Sequence, residues 1–269
     1  VVATLALLGG GAAAGLLGSL LGLGGGILIV PLLTLGFGVP VREALGVSLV
    51  SVIVTSSAAA AVYLDRHVAN LRLGMTLELG TALGAMLGGL IAFAVSERVL
   101  AGLFSALLVY VAVSMIRRGS EHETAAEAPP EEARGLAAVV SGPGYRVRRL
   151  GTGVVASVAA GVVAALLGVG GGLVKVPVMH LLMGVPLRAA TATSNLMIGV
   201  TATAGAVIYL ARGEVDPFIA GPTALGVFAG AWIGSRSAHR VSLGSLRLLF
   251  VVVLLYTAVQ MIRRALGVA

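Results

Sequence analysis

The chain reads as a succession of long apolar stretches cut by short polar or glycine-rich interruptions. A Gly/Ala-rich run over about residues 3–21 is followed by "GLGGG" and then by a shorter apolar run, Ile27 to Phe37. "GVP" at 38–40 closes that run, and longer ones cover about 42–64, 74–95 and 98–117. The order returns at about 152–168, 173–183, 188–211, 219–239 and 243–263. A transmembrane helix needs about 20 predominantly apolar residues, and most of these runs meet that length. Outer-membrane barrels show alternating strands and aromatic girdles instead, and neither pattern occurs here. The prediction is an all-α, polytopic membrane protein whose first membrane helix falls within residues 1–21, with no signal-peptide n-region. The two runs after the glycines are different. At about 1.5 Å per residue they reach only about half of a ~30 Å bilayer core, so they are expected to be re-entrant.

Shifting the chain by 146 residues aligns Gly15–Arg118 with Gly161–Arg264 without a gap, and 42 of the 104 positions are identical. Chance agreement in so simple a composition is about 10–15%, so the chain is an internal duplication. The predicted organisation is membrane repeat 1 over residues 1–118, a linker over 119–150 and membrane repeat 2 over 151–269. Each repeat holds a glycine-broken, re-entrant first helix pair and three long helices. That is an odd number of full crossings, which makes the two repeats inverted; four crossings each would make them parallel. Small residues favour close helix crossing: Gly84, Gly88 and Gly89 lie on one helix, and Gly226, Gly230 and Gly234 on its copy.

Charge adds the orientation. Only 11% of residues are charged, against about 25% in a soluble domain, and the net charge is +7. The arginines sit in loops and in the linker without interleaved aromatics, which argues for membrane anchoring and against nucleic acid as a partner. Arg117, Arg118, Arg134, Arg146, Arg148 and Arg149 in or beside the linker place it in the cytoplasm, the chain lying in the cell inner (plasma) membrane. The linker itself, with "GSEHETAAEAPPEEARG", is acidic, proline-containing and expected to be solvated. The chain has no cysteine, which excludes disulfides and thiolate metal sites. No catalytic constellation, metal site or nucleotide loop is legible. The expected partners are the lipid bilayer and a small anionic substrate, with no cofactor; a homodimer is compatible with the composition.

The glycine breaks carry the candidate chemistry. Backbone N–H groups left unpaired at membrane depth cost several kcal/mol each and survive only inside protein or against a polar cavity. Consecutive glycines remove the side chains that would cover them, and the restarted helix adds the positive end of its dipole. Bare N–H groups beside a positive helix end describe an anion site. Gly24, Gly25 and Gly26 in one break and Gly170, Gly171 and Gly172 in the other would cradle one small anion; close helix crossing is the competing use of the same glycines. Lys175, the only lysine, follows the second break where repeat 1 has Ile29. An ammonium at that depth would balance the anion, unless it snorkels to an interface. Ser48, Thr193, Ser194 and Asn195 open long helices and would complete the shell, or cap and cross-link those helices. Glu78, matched by Ala224, and His180, matched by Thr34, are the proton-coupling candidates. An interfacial position for Glu78 and a packed position for His180 are their alternatives. Without a nucleotide site, transport would be secondary. An anion channel or a carboxylate carrier of the same architecture is the alternative reading.

Two quoted stretches, "GSLLGLGGGILIVPLL" (18–33) and "AALLGVGGGLVKVPVM" (164–179), and the turns after them, "GVPVREALGVSL" (38–49) and "GVPLRAATATSN" (184–195), resemble the sulfite exporter TauE/SafE family of membrane permeases. The resemblance covers nearly the whole chain outside the linker. It rests on Gly22, Gly24, Gly25, Gly26 and Pro31 and on Gly168, Gly170, Gly171, Gly172 and Pro177. It implies export or uptake of small sulfur-containing anions such as sulfite, sulfoacetate and related organosulfonates, with proton coupling. Read without the resemblance, the residues reach only a small anion near the membrane midplane.

Overall fold

The computed structural model describes residues 2–20, 26–65, 69–117, 140–142, 145–237 and 243–267. The described residues are helical apart from turns and one isolated bridge between Gly142 and Tyr145. Helix α1 (Val2–Leu20) precedes a short α2 (Gly26–Pro31), and α3 (Val41–Asp65), α4 (Leu71–Ala94) and α5 (Glu97–Arg117) follow. The second series is α6 (Leu150–Leu166), a short α7 (Gly172–Pro177), α8 (Leu187–Ala211), α9 (Pro217–Ser237) and α10 (Leu243–Ala265). Six of the helices among the described residues are long and apolar enough to cross a membrane. Large apolar side chains such as Leu79, Leu83, Leu225 and Leu248 are exposed on α4, α9 and α10, as lipid-facing surfaces require.

Both short helices end in the same way. Proline has no N–H to continue the ladder, and its ring crowds the preceding turn. Immediately after Pro31 and Pro177 the backbone widens into single π-helical turns, Leu32–Gly36 and Val178–Leu182. A glycine then reverses the chain, with φ of 68° at Gly38 and 70° at Gly184. Each segment, including its π turn, is too short to span the bilayer.

The long helices pack crosswise between the two series. Helix α4 lies along α6, and α9 lies along α1; α3 meets α8, and α5 meets α10. Helices in lipid gain little from apolar burial, so close backbone approach and dispersion must hold them together. The glycines supply that approach. A Cβ on Gly84 or Gly88 would overlap the carbonyl of Val158 or Val162 on α6, and one on Gly161 would overlap the carbonyl of Thr81. On the other pair, Gly230 and Gly234 meet Ala12 and Leu16 of α1, and Gly15 meets Val227. These six residues are the ones that the 146-residue shift pairs with the first six. Gly84→Ala and Gly230→Ala should each destabilise the protein by about 1–3 kcal/mol, because backbone has to move. Gly9→Ala and Gly221→Ala on α1 and α9, where a new Cβ meets nothing within 4 Å, should cause no loss. Thermal unfolding in detergent separates the two classes.

Arginines close the helix ends. Arg42 donates to the carbonyls of Val95 (2.9 Å) and Ala92 (3.3 Å) at the end of α4. Arg264 of α10 donates to Thr34 O (2.6 Å) and Val39 O (3.4 Å) behind α2. Both satisfy carbonyls at a negative helix end. The last part of the predicted linker differs from a solvated strand of chain. Val140 and Val147 are buried, Asn70 donates to Val140 O (2.7 Å) and to the Tyr145 hydroxyl (2.8 Å), and Arg148 N donates to Met183 O (3.0 Å). The alternation of apolar residues after the acidic stretch gives this piece something to bury. Residues 118–139 lie outside the described part.

Candidate functional site

The second glycine break is fully described. It leaves α6 through Gly168 (φ 65°) and passes Gly170 (φ 73°) and Gly171 (φ 79°), which caps α7. Three left-handed residues in four positions require glycine, since a Cβ in that region collides with its own backbone. The ladder of α7 begins with Lys175 N donating to Gly171 O (3.0 Å), and Val169 N donates to Ala164 O (3.1 Å). Among the described residues, the N–H groups of Gly170 and Gly171 donate to no backbone carbonyl. They sit at the positive end of α7, as an anion site requires. The same glycines also serve close packing: a Cβ on Gly170 would lie 2.7 Å from Val52 and 2.8 Å from Ile198.

Of the first break, Gly26 is described; Gly24 and Gly25 lie outside the described residues. A Cβ on Gly26 would come within 3.0 Å of Gly168 O, so the two breaks adjoin. Ser48 of α3 stands between them, its hydroxyl 2.7 Å from Gly168 O and 3.2 Å from Gly26 O. Its sequence counterpart on α8, Ser194, is 1% exposed, and its Oγ has no hydrogen-bond partner among the described residues. That oxygen lies 3.5 Å from where a Cβ on Gly172 would be. An orphaned buried hydroxyl costs about 1–3 kcal/mol, and here it faces the start of α7.

Lys175 does not reach an interface. It is 2% exposed, and its Nζ lies 3.4 Å from Oε2 of Glu78. Thr201 of α8 joins the pair: its Oγ1 accepts from Lys175 Nζ and donates to Glu78 Oε1 at 2.6 Å. Thr81, one turn beyond Glu78, comes within 3.3 Å of Thr201. Glu78, about two turns into α4, is thus buried against α7 and α8. Ion and hydroxyls form one small polar cluster, with charge balanced inside the protein. The Lys175 stem passes the break, with Cε 3.4 Å from the position of a Cβ on Gly171.

The remaining candidates have other partners. Thr193 Oγ1 accepts from Asn70 N (2.9 Å), and Asn70 Oδ1 in turn caps α4 through Leu73 N (3.0 Å). Thr193 therefore positions the start of α4. Asn195 is only partly buried on α8, outside the cluster. His180 Nδ1 lies 2.9 Å from Val185 O, which ties the imidazole to the turn behind α7. Thr201 and Thr81 are absent from the sequence candidates. A signal for Thr201 exists: it follows Ser194 by two helical turns, as Thr55 follows Ser48.

Two curated proteins of Bacillus subtilis (strain 168) are similar to the chain. The "Probable membrane transporter protein YunE" is 27% identical over 238 residues, 84% of each chain. The "Probable membrane transporter protein YdhB" is 23% identical over 229 residues, 82% of this chain and 85% of that one. No solved structure matches. The model of the family described as "Sulfite exporter TauE/SafE" matches residues 7–261. With that match over nearly its whole length, the chain belongs to the sulfite exporter TauE/SafE family, a family of membrane transporters and not of enzymes.

Proposed function

We propose that the protein is a secondary, proton-coupled carrier of a small anion, a sulfur-containing oxyanion or an organosulfonate such as sulfite or sulfoacetate. The observation that carries this reading is the second break, where the N–H groups of Gly170 and Gly171 have no carbonyl partner among the described residues, at the positive end of α7. The orphaned Ser194 hydroxyl at Gly172 supplies a further donor, and Lys175 supplies the countercharge. The anion sits where the two breaks adjoin, near the midplane, between the two repeats. The crossed packing of α1 on α9 and of α6 on α4 supports two related halves that move against each other around a fixed site. The inverted arrangement, the cytoplasmic linker and residence in the inner membrane belong to the same reading.

A thermal-shift screen of the purified protein against sulfite, thiosulfate, sulfonates and carboxylates tests it. A ligand at about 100 times its Kd stabilises the folded state by about 2.7 kcal/mol, a readily measured rise in midpoint. Stabilisation by a sulfur anion supports the reading, and stabilisation by carboxylates alone moves it to a carboxylate carrier. Reporter fusions at residue 125 and at the C-terminus test the topology. An inverted pair puts them on opposite sides, with residue 125 in the cytoplasm; the same side for both would mean parallel halves.

A further inference from the structure

We propose that Glu78, Thr201 and Lys175 form a one-proton exchange site, in which a proton on Glu78 frees the Lys175 ammonium to bind a singly charged anion. This rests on the anion reading above and specifies its coupling and its substrate charge. At rest the ammonium already has a partner, the Glu78 carboxylate at 3.4 Å. A substrate anion and that carboxylate are therefore rivals for one cation. Two negative groups against a single buried ammonium would leave an uncompensated charge, which is strongly disfavoured at membrane depth. Proton uptake at Glu78 Oε2 converts the carboxylate to a neutral acid and removes the rival. The ammonium then turns toward the break, which its own stem already touches at Gly171. The waiting donors there are the Gly170 and Gly171 N–H groups and the Ser194 hydroxyl. Glu78 in its acid form keeps the Thr201 hydroxyl as a hydrogen-bond partner. The site is neutral before and after the exchange when the anion carries one charge, and it gains a net negative charge when the anion carries two.

Among the described side chains of the helices packed on the pair, no other ionisable group is bonded to it. Helix α6 has none in Leu150–Leu166. On α4 the only other one is Arg72, exposed in the first turn. On α7 and its π turn it is His180, held at Val185. On α8 they are Arg188, in the first turn, and Tyr209, whose hydroxyl donates to Ala165 O (3.1 Å). The counterpart positions in the other half are Ile29, Thr55 and Ala224, so the sequence provides one such site and not two. One proton accompanies one monoanion, and the cycle moves no net charge.

Proteoliposomes loaded to set a pH gradient and a valinomycin-clamped potassium potential test this with labelled methanesulfonate, a monoanion, and thiosulfate, a dianion, as probes. The parent should accumulate methanesulfonate in response to the pH gradient and show no response to the potential, with thiosulfate exchanged more weakly. Its apparent affinity should fall about tenfold per pH unit once Glu78 ionises. Glu78→Gln keeps the shape and a hydrogen-bond acceptor for Thr201. It should still exchange methanesulfonate, with an affinity that no longer depends on pH and with no uphill accumulation. Uptake that follows the potential, preference for thiosulfate, or pH-driven accumulation by Glu78→Gln would each overturn the proposal while leaving an anion carrier standing. Failure of the parent to exchange either anion would overturn the anion reading itself.

Discussion

Lys175→Met is expected to destabilise the protein by about 3–5 kcal/mol at neutral pH, the cost of removing one member of a buried ion pair. By size the substitution is mild, because methionine matches the apolar stem of lysine. The damage comes from Glu78, which is left as a buried carboxylate with only Thr201, among the described residues, to solvate it. Adding Glu78→Gln to the same chain removes that charge and should restore most of the lost stability. The double variant would therefore unfold at higher temperature than Lys175→Met alone, although it lacks one more native group. Unfolding of the four proteins in detergent gives the coupling energy directly. Equal stability of parent and Lys175→Met would mean that the two charges are not paired in the folded protein. In the repaired double variant, anion affinity should still be about ten- to a hundredfold weaker than in the parent. That is the loss of one charge-assisted bond of about 1.5–3 kcal/mol.

Gly171→Ala is expected to abolish measurable anion binding at a modest cost in stability. Alanine at φ 79° is strained, and its Cβ would lie 3.0 Å from Ala164 and 3.4 Å from Cε of Lys175. The methyl group would cover the N–H groups of the break and obstruct the path of the ammonium toward them. A general effect of backbone strain has its own control. Gly213 has a φ of 73°, with nothing within 4 Å of a new Cβ, and follows the end of α8. Gly213→Ala imposes similar strain away from the break and should bind anion as the parent does. If both variants bind normally, the break is a packing device.

The helices were legible because the physics that defines them is local. Apolar runs stop at Gly38, Pro40, Gly184 and Pro186, and the observed boundaries follow those residues closely. The length of the two post-glycine segments was likewise readable, and so were the glycines that interlock α4 with α6. The ion pair was not. Glu78 and Lys175 are 97 residues apart, and Glu78 sits where an interfacial residue is common. Only the packing of α4 against α8, with α7 against the same helix, brings them together. The same limit applies to Ser48, whose partner is a backbone carbonyl across the two breaks, and to Thr193, whose partner is the N–H of Asn70. Hydroxyls on a membrane helix look alike in sequence, whether they cap, cross-link or wait for a ligand. Thr201 was recoverable from its two-turn spacing to Ser194, but the meaning of that spacing depends on Lys175 lying opposite.

Carriage of a small anion through the second glycine break has a direct signature in transport. Counterflow of labelled anion into preloaded proteoliposomes, compared between the parent and Gly171→Ala at equal amounts of folded protein, tests it most directly. Saturable counterflow is expected in the parent, accelerated by unlabelled anion on the far side, with at least a tenfold loss in Gly171→Ala and with Gly213→Ala matching the parent. Counterflow by Gly171→Ala at the parent rate would contradict carriage through the break.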